Sequence, residues 1–143
     1  MPSAATGAAW SGSFTDSVRV KNICVAHIAH TRVFNLTQTQ TATGSGTTVS
    51  VPAATTSCPS GYTMATIVSV MTYSGSAPTL SGTGTQLCGI DNFVSSTHRA
   101  TFQHGYDGSN AFSGTLSVSA TWVAIAYRFC PKRNIAGWIG TTD

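Results

Sequence analysis

The sequence has 143 residues, the size of one domain, and only 8% of them are charged, against roughly 25% in an ordinary soluble protein. Seven Lys and Arg against four Asp and no Glu leave +3, too weak and too scattered for a nucleic-acid binder. No apolar run approaches the ~18 residues needed to span a membrane, so no membrane insertion is expected. An apolar fraction of 41% suffices for a core and excludes wholesale disorder.

The opening Met1-Pro2-Ser3-Ala4-Ala5 has no basic segment followed by an apolar one. No signal peptide is visible, and the start reads as an internal fragment supplied with an initiator Met. Residues 1–13 read as a linker. Phe14 to Val20 alternates as a strand, with Phe14, Val18 and Val20 on one face. Ile23 to Leu36 has mixed periodicity, which suggests a short helix near residues 21–30 leading into an extended stretch from Val33 to Leu36. Thr37 to Gly46 holds no apolar residue but Ala42 and reads as a loop or an exposed hairpin tip. Thr47 to Val51 is a short strand ending at Pro52.

Beyond the Cys58-Pro59-Ser60-Gly61 turn, Tyr62 to Tyr73 predicts a long strand with two largely apolar faces, hence a central one. Three Gly and a Pro make Ser74 to Thr85 a loop. Gln86 to Val94 and Arg99 to His104 read as strands, and Gly105 to Asn110 as a turn cluster. Gly114 to Cys130 is the strongest strand signal, its Leu116, Val118, Ala120 and Trp122 alternating with Ser and Thr before both faces turn apolar. Trp122 is expected in the core. Residues 131–143 look like a tail. The whole predicts an all-β, disulfide-stapled sandwich or barrel-like domain over residues 14–130.

Cysteines 24, 58, 88 and 130 lack the close pairing of zinc and redox motifs. Their even number, wide spacing and charge-poor setting suggest two structural disulfides in an exported protein. The competing reading is four buried thiols. Cys24, His27 and His30 follow a three-residue step that a helix would bring to one face, but no fourth ligand accompanies them. They are read as packing residues, and neither metal nor cofactor is expected. Catalysis is not expected either. There is no G-x-S-x-G elbow, and a hydrolase would need a pocket joining His98 or His104 to Asp91 or Asp107 beside a Ser.

Surface recognition remains. Arg99, Gln103, His104, Tyr106, Asp107 and Asn110 gather amides, a carboxylate and a ring around tight glycine turns. Such groups suit hydroxyl-rich sugars, whose apolar faces stack on rings while their hydroxyls take hydrogen bonds. Tyr73, beside the loop that follows it, is a second candidate. The plainer alternative is a turn whose polar residues face water.

Cys58-Pro59-Ser60-Gly61-Tyr62-Thr63-Met64 and Trp122-Val123-Ala124-Ile125-Ala126-Tyr127-Arg128-Phe129-Cys130 resemble segments in the C-terminal domains of shufflon-encoded minor pilin adhesins, from the thin type IVb pili of conjugative plasmids. Thr6-Gly7-Ala8-Ala9-Trp10 is similar to the short glycine–tryptophan segment that precedes the exchangeable C-terminus there. The resemblance covers mainly residues 55–130. Ala65-Thr66-Ile67 stands where that family has a glycine-rich stretch, and Ala4-Ala5 where a cysteine would be.

The resemblance implies an extracellular pilus-tip domain that recognises lipopolysaccharide on recipient bacteria and selects mating partners. Its N-terminal side would meet other pilus subunits. It also implies a Cys58–Cys130 bridge, which leaves Cys24 with Cys88. The alternative is a structural module, a trimeric phage tail-fibre tip or a pilus cap without a sugar site of its own.

Overall fold

The computed structural model describes residues 34–94 and 96–132. They form six strands and no helix: β1 (Phe34–Val51), β2 (Ala65–Ser74), β3 (Leu80–Gly82), β4 (Thr85–Val94), β5 (Thr97–Asp107) and β6 (Phe112–Pro131). All pairings are antiparallel, in the order β1-β6-β2-β5-β4, and β3 adds to β6. The all-β expectation holds. The linker, the first predicted strand, the helix near 21–30, the Cys24/His27/His30 step and most of the tail lie outside the described residues.

β6 organises the fold. Its even-numbered side chains face inward along almost its whole length, with Phe112, Leu116, Ala120, Trp122, Ala124 and Ala126 in the core. Its first third pairs with the end of β1 (Val51↔Phe112) and with β3 (Leu80↔Leu116), and from Thr121 to Phe129 it lies between β1 and β2. The sheet therefore folds back over itself. Val49, Val51, Leu80 and Phe112 pack in one cluster with Val68, Val70, Ala100 and Phe102 of β2 and β5.

Ser74 to Thr85, expected as a loop, contains the short strand β3, held by pairing with β6, and two further expectations about connections are corrected. Thr37 to Gly46 is the middle of β1, in register with β6 from Gln38↔Arg128 to Gly46↔Ala120. Its lack of apolar residues misleads because small inward groups are what this position needs. Trp122 covers Gly44 so closely that a Cβ there would sit 2.5 Å from the indole. Threonine, meanwhile, is a good strand former on the outward side. The register shifts between Gly46, at φ 111°, and Thr48, and the inward parity changes with it from Ala42 and Gly44 to Val49 and Val51. The second correction concerns Gly105 to Asn110: β5 runs on to Asp107, and the turn to β6 begins at Gly108, at φ 118°.

Cys58 and Cys130 are joined, as the resemblance implied, pinning the 52–64 connection to the end of β6. Backbone bonds from Ala54 to Ser109 and from Gly108 to Met64 hold the same end. Arg128 is wholly buried there, donating to the Gln40 side chain and to the Pro52 carbonyl. Trp122 is in the core, as expected.

Candidate ligand-binding face

A strand sends successive side chains to opposite faces, so β5 splits the predicted recognition cluster in two. Arg99, Gln103 and Asp107 fall on the outer face of the sheet, and His104 and Tyr106 on the inner one. His104 is a correction: it is 2% exposed, packs edge-on against Phe112 at 5.4 Å, and is out of reach of a surface ligand. Neither ring nitrogen has a well-formed hydrogen bond among the described residues. Burial holds its pKa below the usual histidine value, and the nearby Thr83 backbone pulls weakly the other way.

Tyr106 is also turned inward, packed against the core, with its hydroxyl donating to the Asn110 carbonyl at 2.9 Å. Burial pushes its phenol above the ordinary value, opposed by the Arg128 guanidinium. Tyr106 and the exposed Asn110 thus close the β5–β6 turn on itself.

The outer face carries the rest. Tyr73, from the second candidate, pairs with Arg99 and Thr121 across its two ladders. The Tyr73 ring is 53% exposed, and the Arg99 guanidinium carbon lies 5.7 Å from its centroid, a cation–π distance. Met71 and Val123 are exposed in the next row, beside Thr101. Further along, Gln103 donates to Ser69 Oγ at 3.1 Å, which pins its amide to the sheet.

Asp107 lies at the far end. It rims a cleft of about 620 Å³ that opens where Gly105 lacks a side chain, with Ala65, Ile67 and Leu87 as apolar walls. The run of β2 from Ala65 to Tyr73 separates the two ends by about 26 Å. No single sugar ring reaches both. The structure therefore brings Tyr73 and Arg99 together, and leaves Gln103 and Asp107 successively farther away.

Sequence reasoning treated Asp91 and His98 only as parts of a hypothetical hydrolase. They do meet, His98 Nδ1 to Asp91 Oδ2 at 2.6 Å, with the Phe93 ring 4.9 Å from the imidazole. Ser74 stands opposite His98, but its hydroxyl donates to the Ser76 carbonyl. Met71 and Val123 were passed over as ligand-facing groups, although the alternation in Tyr62 to Tyr73 already put Met71 on the face of Tyr73. Among the described residues there is no group of three metal-ligating side chains, and no helix long and apolar enough to cross a membrane. Comparison of the chain with protein-family models, with curated proteins and with solved structures finds no match.

Proposed function

We propose that this chain is a non-catalytic adhesin domain that binds cell-surface glycan, lipopolysaccharide sugars in the first place, through the Tyr73 end of its outer face. The observation that carries the reading is the exposed Tyr73 ring set beside the Arg99 guanidinium on rigid paired strands. A ring of this kind stacks on the apolar face of a sugar, and a guanidinium fork donates to hydroxyls or to acidic groups. The outward row on β1 (Thr39, Thr41, Thr43 and Ser45) adds a hydroxylic border two strands away. The resemblance to pilin adhesins supplies the setting: display at an extracellular pilus tip, where avidity reinforces weak single sites and partner choice in conjugation follows.

The test is binding of the purified domain to lipopolysaccharides truncated stepwise through O-antigen and core. Binding should vanish at one truncation step. Tyr73→Ala should weaken it about tenfold, the loss of one stacking contact of ~1.4 kcal/mol. Tyr106→Phe, which keeps the packed ring, should bind as the parent does. Equal binding by Tyr73→Ala would move the site off this face, and no binding to any member would sink the lipopolysaccharide reading.

A second reading rests on the sheet edges. Leu36 on β1 and Leu87 and Phe93 on β4 are exposed at 55%, 48% and 64%, and these are the two terminal strands of the sheet. Apolar edges suit subunit contacts. A stable trimer by sedimentation, together with failure on the glycan panel, would favour the fibre-tip or pilus-cap module.

A further inference from the structure

The cleft beside Asp107 is the product of two backbone irregularities. On β4, Gln86 and Cys88 pair with the adjacent β5 residues His104 and Gln103, so Leu87 is the extra residue of a bulge. Bulges re-aim side chains and are over-represented beside functional sites. Here the bulge lays Leu87 over Gly105, where an added Cβ would stand 2.9 Å from the Leu87 side chain. The turn from β3 to β4 closes on the same place. Gly84, at φ 80°, leaves the Gly105 carbonyl oxygen the room that a Cβ would take at 2.4 Å.

The result is a depression with a glycine floor and aliphatic walls, Leu87 on β4 facing Ile67 and Ala65 on β2. Its volume falls in the range of small-ligand sites. Leu87 is nearly half exposed, so apolar surface stands open to solvent there. Among the described residues Asp107 is the one charged side chain lining it. Asp107 is also the one charged group of a smaller hollow of about 280 Å³, which shares Asp107 and Ala65 with the cleft and adds Tyr62 and Pro131. No Lys, Arg or His among the described residues pairs with its carboxylate.

The neighbouring hydroxyls do not offer protons. Thr66 donates to the Gly108 carbonyl and Tyr106 to the Asn110 carbonyl. The cleft thus presents a negative acceptor beside aliphatic walls, and its ligand has to bring the donor. A neutral hydroxyl gains little by leaving water for a carboxylate, whereas an ammonium group adds charge to the hydrogen bond. We propose that this cleft binds a primary ammonium group carried on an aliphatic stem, the ammonium donating to Asp107 and the stem lying between Leu87 and Ile67. The site stands at the end of the face away from Tyr73, and the inference holds whether or not the domain binds glycan.

The test is titration of the intact, isotope-labelled chain followed by amide NMR shifts. n-Hexylammonium chloride should give saturable shifts centred on residues 65–67, 84–87 and 105–107. n-Hexanol should bind severalfold more weakly and n-hexanoate not at all. n-Butylammonium should lose severalfold as methylenes return to water. Asp107→Asn should weaken hexylammonium about fivefold, the size of one partly screened ion pair. Nα-acetyl-lysine amide separates the sources of the ammonium. Binding at the same amides assigns a lysine side chain, and hexylammonium alone assigns a free amine. Hexanol or hexanoate binding as tightly as hexylammonium, shifts centred elsewhere, no saturation, or unchanged affinity in a folded Asp107→Asn chain would each overturn the site. Should that variant not fold, hexylammonium against hexanol on the parent chain decides.

Discussion

His104 is the residue where alternation outweighs chemistry. As a polar group near a glycine turn it reads as a ligand contact, yet its place between Phe102 and Phe112 on the inner side makes it a core group. Because its folded pKa is lowered, the unfolded chain binds its proton first as pH falls. Stability is then expected to fall with acid below about pH 6.5, with a slope of up to ~1.4 kcal/mol per pH unit, and to stop falling once the lower folded value is passed. Urea denaturation between neutral pH and about pH 5 measures this, and His104→Phe should remove that part of the slope. An identical slope in the variant would assign the acid sensitivity to other groups. Among the described residues Arg128 is the other buried ionisable side chain, and its donors go to an amide and a carbonyl rather than to a carboxylate.

At the scale of elements, β1 and β5 show how far pattern reading carries. The β5 strand was legible, and its face assignment follows from period two once the strand is known to reach Asp107. Candidate residues taken as one cluster then divide by parity. β1 was illegible in its middle, because apolar content is the usual strand signal and Thr39 to Gly46 has only Ala42. What fixes that stretch is its partner: Trp122 of β6 needs the space that Gly44 leaves. Gly44→Val is therefore expected to destabilise the domain by about 1–3 kcal/mol through overpacking. Chemical denaturation followed by Trp fluorescence reports it, and a neutral outcome would mean that the indole can swing aside without loss.

For the whole molecule, the closing contacts join distant parts of the chain. Phe34 pairs with Pro131 and Val51 with Phe112, so the first described strand waits for the last. The Cys58–Cys130 bridge spans 72 residues of that separation. Cys58→Ser/Cys130→Ser is expected to lower stability by roughly 2–4 kcal/mol, chiefly by freeing the unfolded chain. An unchanged denaturation midpoint would leave the Ala54–Ser109 and Gly108–Met64 backbone bonds as the closure at that end.

By itself the sequence determined the all-β class, the central place of β2, the core role of Trp122 and the low-charge, hydroxyl-rich surface. These follow from composition and local period, which each residue carries with it. Only the tertiary structure decided which candidate residues meet. Tyr73 and Arg99 are 26 positions apart and adjacent, whereas Arg99 and Asp107 share one strand and stand at opposite ends of the face. Adjacency across a sheet is set by register between strands, and register is a property of the folded pair that neither strand's residues spell out alone.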